Sequence, residues 1–158
     1  MSKPAASVKI LDILKPDFVL LDLKSAVKKD MLAEMTDYLM DKESDEIKSE
    51  VVGALLDREK LGSTGIGSGV AVPHAKSSRV SQIMCALGIS KKGIEFEALD
   101  QAPVYLIFLL VAPPNSQSEH LNILARIVRL LKDRVFRQAL REAKSKEEVL
   151  RLIAAEDV

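Results

Sequence analysis

The run Val104-Tyr-Leu-Ile-Phe-Leu-Leu-Val111 constrains the fold more than any other stretch of the chain. A strand with one wet face alternates apolar and polar residues; this one is apolar on both faces and rich in large side chains. Such a strand is stable only inside a sheet covered on both sides. Pro103 before it, and Pro113 and Pro114 after it, lack backbone donors and bound it at either end. The rest of the chain must therefore supply neighbours for a central strand and two covering layers.

Strand neighbours are predicted at Phe18-Val-Leu-Leu-Asp22, at Ile83 to Ile89 and in the short apolar run Val70 to Val72. Ile10 to Leu14 is a further short apolar segment, Lys76 to Ser81 a polar connector and Lys91-Lys-Gly93 a turn. Helical spacing is equally plain. Ser25 can cap a helix with Met31, Leu32, Met35 and Leu39 inward. After a charged turn, 41–44, a second helix carries Ile47, Val51, Ala54 and Leu55, with Asp45 and Glu46 suited to its N-terminal dipole. Ser116 or Ser118 can cap the next helix, the first choice making Ser116-x-x-Glu119 a capping box, with Leu121, Leu124, Ala125, Val128 and Leu131 as its apolar stripe. A shorter helix covers Phe136 to Ala143, and Ser145-x-x-Glu148 opens a last one with Val149, Leu152 and Ile153 inward. This loose alternation predicts an α/β fold, a layered sandwich with a mixed β-sheet flanked by helices. The pattern leaves the strand order open. A single domain over residues 1–158 is expected, with 1–7 as a flexible tail.

Charge excludes some classes of function. Lys and Arg balance Asp and Glu at 23 each, without a basic block interleaved with aromatics, so no nucleic-acid partner is expected. No apolar run approaches the length of a membrane span, and the first residues lack the apolar core of a secretory signal. The one cysteine, Cys85, cannot form an internal disulfide and fits a reducing compartment. These features predict a cytoplasmic protein without direct membrane insertion. Two histidines and one cysteine at no ligand spacing do not make a zinc set, and Cys85 inside an apolar strand is a poor nucleophile.

Chemistry concentrates at Gly62-Ser-Thr-Gly-Ile-Gly-Ser-Gly-Val-Ala-Val-Pro-His-Ala75, which holds four of the chain's seven glycines. Glycine at this density reads as a shaped loop. Pro73 holds Val72 extended, so that His74 is presented at the end of the short strand beside backbone N–H groups. A nucleotide-binding loop is disfavoured, because G-x-G-x-x-G and G-K-[ST] are absent and the order runs from helix into strand. A tight turn with an ordinary hydrogen-bonded histidine is the plainer alternative.

Ala71-Val-Pro-His74 resembles the phosphorylation-site signature of the IIA domain of the bacterial phosphoenolpyruvate-dependent phosphotransferase system, of the fructose–mannitol and nitrogen-regulatory type. The likeness spans about Phe18 to Ile153, through Leu56-Asp-Arg-Glu59, Gly93-Ile-Glu-Phe96, Ala98-Leu-Asp100, Phe108-Leu-Leu-Val-Ala-Pro113 and His120-Leu-x-x-Leu-Ala125. The resemblance implies an α/β sandwich acting as a phosphotransferase component. His74 is then the phosphoacceptor, charged by an HPr-type carrier protein and discharged to a cysteine on a IIB-type domain for sugar uptake. It implies no metal and no other cofactor. The alternative within the same family is a nitrogen-type regulator, in which phosphorylation of His74 controls binding to a target protein.

His120, 46 residues after His74 (120 − 74), stands where the family has its second site histidine; by pattern alone it is a surface residue in a helix's first turn. Arg58 stands at the family's site arginine, and its planar fork suits phosphoryl oxygens; by pattern alone it is a solvated member of the turn Asp57-Arg-Glu-Lys60. Ser63, Thr64, Gly65 and Gly67 are candidate phosphate-loop residues. Ile66, Val70, Ala75 and Ile123 are candidates for the apolar part of a docking face. Positive potential from Arg58 and the loop N–H groups is expected to make His74 titrate below a free histidine.

Overall fold

The computed structural model describes residues 8–158; the tail expected at 1–7 lies outside the described residues. The two-sided apolar run becomes β6 (Val104–Ala112), with every residue but Tyr105 buried. It lies inside a six-stranded mixed sheet. On one side β5 (Met84–Ile94) runs antiparallel to it, from Met84 opposite Val111 to Ile94 opposite Val104. On the other side β3 (Val70–Ala71) and β4 (His74–Lys76) both run parallel to it. The edges are β1 (Val19–Leu20), parallel to β5, and β2 (Gly65–Gly67), antiparallel to β3.

Successive β6 side chains divide between two cores. Leu106, Phe108, Leu110 and Ala112 pack with α1 (Ile10–Ile13), α4 (Gln117–Leu130), α5 (Arg134–Glu142) and α6 (Lys146–Glu156). Ile107, Leu109 and Val111 pack with α2 (Lys28–Leu39) and α3 (Asp45–Lys60) on the opposite face. The result is the helix–sheet–helix sandwich that a two-sided central strand requires. No helix among the described residues is long and apolar enough to cross a membrane.

Several local expectations are corrected. Ser25 does not cap α2, whose N-cap is Val27; instead the Ser25 N–H and hydroxyl both donate to Glu34, at 3.0 and 2.7 Å. The capping box at Ser116 does not form, because the Ser116 hydroxyl donates to the Pro113 carbonyl at 2.8 Å. The inward stripe of α4 is His120, Ile123, Ile127 and Leu130, while Leu121 is 60% exposed. Leu131 of the expected stripe is buried and Leu124 and Val128 pack partly buried against the same core, so the inward face is turned only far enough to expose Leu121 and Ala125 and to take in His120. Lys91-Lys-Gly93 does not end its strand; β5 continues through it to Ile94 with a shift of register. Phe18 lies in a 3-10 turn (Pro16–Phe18), which leaves β1 only two residues. By contrast, Ser145 caps α6 as its sequence position predicts, and Ser44, read only as part of a charged turn, caps α3.

Candidate functional site

The glycine-rich stretch leaves α3 and enters the sheet as a tight β2–β3 hairpin. Gly67 pairs with Val70 across Ser68 and Gly69, whose φ values are 57° and 77°. A two-residue turn with both residues at positive φ matches the twist of its strands. The Ser68 N–H donates to the Asp100 carboxylate at 3.2 Å, and Leu99 N–H donates to the Gly65 carbonyl at 3.0 Å. Connector 95–103 thus lies flat on the hairpin. At Gly65 the approach is so close that a Cβ would fall 2.6 Å from the Ala98 Cβ.

Val70 to Lys76 then follow β6 in one register, from Val70 opposite Leu106 to Lys76 opposite Ala112. The ladder is interrupted only at Val72-Pro73. Val72 N–H turns back to the Thr64 carbonyl at 3.0 Å, and the Pro73 carbonyl accepts from Leu110 N–H at 2.9 Å. His74 therefore opens a second short strand, where the sequence placed it at the end of the first. As the partner of Leu110 it faces the α4 side of the sheet.

That placement brings the two histidines together. Their ring centroids are 5.4 Å apart with an interplanar angle of 80°. His74 is half-buried, and its Nδ1 lies 2.8 Å from the Val72 carbonyl oxygen. A carbonyl only accepts, so Nδ1 carries the proton and Nε2 keeps its unshared pair. His120 is 4% exposed, one turn into α4, with its backbone N–H on the Ser116 carbonyl and its Nε2 without a partner. Burial holds His74 below the ordinary histidine range, and the Arg58 charge adds to the fall; the Val72 carbonyl and the Glu59 carboxylate oppose it. The direction matches the sequence expectation, but the leading cause is burial rather than positive potential. His120 is pushed down to about 4, chiefly by burial, with His74 and Lys76 adding to it. Two neutral imidazoles at neutral pH stand side by side, and the Nδ1 bond of His74 leaves its Nε2 lone pair chemically able to act as a nucleophile, with His120 close enough to offer a hydrogen bond.

Arg58 lies in the last turn of α3, and its Nη1 donates to the Gly62 carbonyl at 2.9 Å. Ser63 accepts from Gly65 N–H at 3.0 Å. Thr64 is buried with both its N–H and its hydroxyl on the Glu59 carboxylate, so in this structure its donors serve the loop itself. Gly65 and Gly67 form β2. Of the docking-face candidates only Ile66 is exposed; Val70, Ala75 and Ile123 belong to the core. Sequence reasoning missed Glu59 and its partly buried partner Lys28, 3.0 Å away. The signal was present: Glu59 extends the buried series Val51, Leu55 by one more helical turn. Cys85 is buried, which pushes its thiol far up, and no group of three or more metal-ligating side chains is found among the described residues.

Comparison with known families decides what this arrangement belongs to. Residues 12–156 match the family described as phosphoenolpyruvate-dependent sugar phosphotransferase system, EIIA 2. The chain belongs to that EIIA family. Among relatives of this IIA domain, the nitrogen regulatory protein of Bradyrhizobium diazoefficiens is 36% identical over 145 residues, covering 92% of this chain and 94% of the relative. The fructose-specific EIIABC component of Bacillus subtilis is 33% identical over 150 residues, 95% of this chain, which spans only 24% of that longer protein. The solved nitrogen regulatory protein IIA-Ntr from Neisseria meningitidis shares 34% identity at a TM-score of 0.84, over 90% of this chain and 97% of that one. The Escherichia coli mannitol IIA enzyme, solved in complex with phosphorylated IIB, shares 26% identity at a TM-score of 0.75, over 90% of this chain and 99% of that one. The IIA domain is thus similar to both the sugar and the nitrogen branches of one fold.

Proposed function

We propose that this IIA domain is a phosphohistidine carrier, with His74 as the phosphoacceptor. The observation that carries the reading is the Nδ1–Val72 bond, which leaves Nε2 of a neutral ring as the nucleophile. The Nε2 lone pair forms the new N–P bond while the bond from phosphorus to the donor's nitrogen breaks, its electron pair returning to the donor ring. The donor is an HPr-type phosphocarrier protein. In the second step a thiolate of a IIB-type domain attacks the same phosphorus, and the N–P electrons return to His74. Such transfers depend mainly on positioning and on charge stabilisation. Arg58 supplies charge from the end of α3, and His120 a hydrogen bond to the phosphoryl group or to the ring. Ser63, Thr64, Gly65 and Gly67 give the loop its shape. The solved pairing of a mannitol IIA with phosphorylated IIB supports the second step. We assign the protein to the cytoplasm, where one buried thiol and protein partners of this kind are at home.

A second reading is favoured by the relatives named as nitrogen regulatory proteins, which match nearly the whole chain. In it the same phosphorylation at His74 alters which target protein is bound, and no sugar follows.

Incubation with phosphoenolpyruvate and the general phosphotransferase proteins is expected to give one acid-labile, base-stable phosphoryl group on His74. Label persisting in His74→Ala, or found on Cys85, overturns the assignment. Arg58→Ala and His120→Ala are expected to fold and to slow transfer by roughly ten- to a hundred-fold, the size of one lost charge-assisted bond. Onward transfer to a IIB-type cysteine supports the sugar reading; a phosphorylated protein that discharges to no IIB domain but changes its protein partner supports the regulatory one.

A further inference from the structure

Glu59 has a carboxylate buried at the C-terminal end of α3, where a lone charge is costly. Three donors satisfy it: Lys28 Nζ at 3.0 Å, Thr64 N–H at 3.1 Å and the Thr64 hydroxyl in a short bond. Lys28 in turn lies over the Phe96 ring at 4.5 Å, so the cation is itself seated against the core. From Thr64 the bonding continues without a gap. The Thr64 carbonyl accepts from Val72 N–H at 3.0 Å, and the Val72 carbonyl accepts from His74 Nδ1 at 2.8 Å. Lys28, Glu59, Thr64, Val72 and His74 form one hydrogen-bonded series linking α2, α3, the hairpin and the phosphoacceptor strand.

Arg58 and Glu59, adjacent in sequence, grip the same turn from two sides, Arg58 at the Gly62 carbonyl and Glu59 at Thr64. Val72 N–H points away from β6 to the Thr64 carbonyl, so β6 reaches this peptide only through the neighbouring Pro73 carbonyl, and Thr64 holds it on the hairpin side.

We propose that Glu59 is the positioning residue for His74: its buried carboxylate, seated by Lys28, fixes Thr64, and through Thr64 the Val72 carbonyl that sets the tautomer and direction of the His74 ring. Glu59 touches no reacting atom. Its effect on phosphoryl transfer rests on the reading of His74 as the phosphoacceptor, but its effect on the ring does not.

The test therefore reads the unphosphorylated protein first. Long-range proton–nitrogen NMR of the imidazole rings, assigned with His74→Asn, is expected to show His74 protonated at Nδ1 in the wild type. Glu59→Gln keeps the shape but removes the charge and one acceptor, and Thr64→Val removes the hydroxyl. Both are expected to bring in the Nε2-protonated form, while Thr64→Ser, which keeps both donors, retains the wild-type tautomer. Single-turnover transfer from a phosphorylated HPr-type carrier is expected to fall by about 10- to 100-fold in Glu59→Gln and by less in Thr64→Val. An unchanged His74 tautomer in both variants overturns the proposal, whatever happens to the rate. If Glu59→Gln does not fold, Thr64→Val alone decides on the same reading. Should His74 prove not to accept phosphate at all, the tautomer result still stands for or against Glu59.

Discussion

His74 and His120 stand 5.4 Å apart, yet the regions that carry them use different means of holding a ring. The β2–β4 region is thin, rich in glycine and poor in apolar bulk, and it holds His74 through a bonded series ending at the Val72 carbonyl. The start of α4 has no such bonds to the side chain. It holds His120 by burial on the inward face of a helix, above Ile123 and Ile127, with Nε2 unsatisfied. Hydrogen bonds set a tautomer and a direction, which a nucleophile needs. Packing sets a position and excludes water, and it leaves a donor or acceptor uncommitted until a ligand arrives.

The difference can be broken most severely from beneath His120. Ile123 is fully buried one turn further along α4, and Ile123→Ala is expected to lower stability by about 2–5 kcal/mol through the cavity it leaves. Urea unfolding measures this; a loss below about 1 kcal/mol would mean that α4 is not held by its inward face.

Acid probes the same burial by a different route. His120 titrates at about 4 when folded, below the ordinary unfolded value near 6.5. Below that upper value the unfolded chain takes up a proton that the native ring refuses, so stability falls as pH drops through the window and is unaffected above it. At about 1.4 kcal/mol per pH unit for one proton, the full window is worth about 3 kcal/mol. Unfolding at neutral pH and near the lower end of the window should show wild type losing more stability than His120→Gln. Equal losses would remove burial as the basis of the difference between the two rings. His74 is shifted in the same direction, so His74→Gln should reduce the slope as well.

On the hairpin side the weak point is contact with the connector. Gly65→Ala drives a methyl group into Ala98 and is expected to destabilise by about 1–3 kcal/mol, with His74 amide and ring resonances shifting together. Resonances unmoved at His74 would separate the hairpin from the histidine it leads to. The smallest effect is expected beside His120, on the outward face. Leu121→Ala should change stability by no more than about 0.5 kcal/mol, since the side chain is mostly in water. A larger loss would restore Leu121 to the inward stripe that apolar counting assigned to it.

Legibility differed between the same two regions. Near His74, the glycines, Pro73 and the short apolar run announced a constrained loop entering the sheet, and that is where the chain goes. Even so, the antiparallel β2 strand was not visible, because two of the three residues of Gly65-Ile-Gly67 are glycines, which are depleted in strands, and the segment pairs with the β3 strand beside it. Near His120 the helix was plain, but its rotation was not. Counting hydrocarbon put Leu121 inward, whereas the fold buries a histidine and leaves that leucine out. Arg58 and Glu59 looked alike in sequence, two charges in a charged turn; one is a partly exposed cation and the other a buried carboxylate.

The sequence by itself determined the central strand, the α/β layering, the approximate helix positions and the two histidines as the residues to watch, because hydrophobic period and proline breaks are local properties of the chain. Tertiary structure alone decided which polar groups are buried and what they bond. Glu59 meets Thr64 and Lys28, and His74 meets His120, only after α2, α3, the hairpin and α4 have packed on one sheet. A side chain's partner across the fold is a long-range fact, and no local period encodes it.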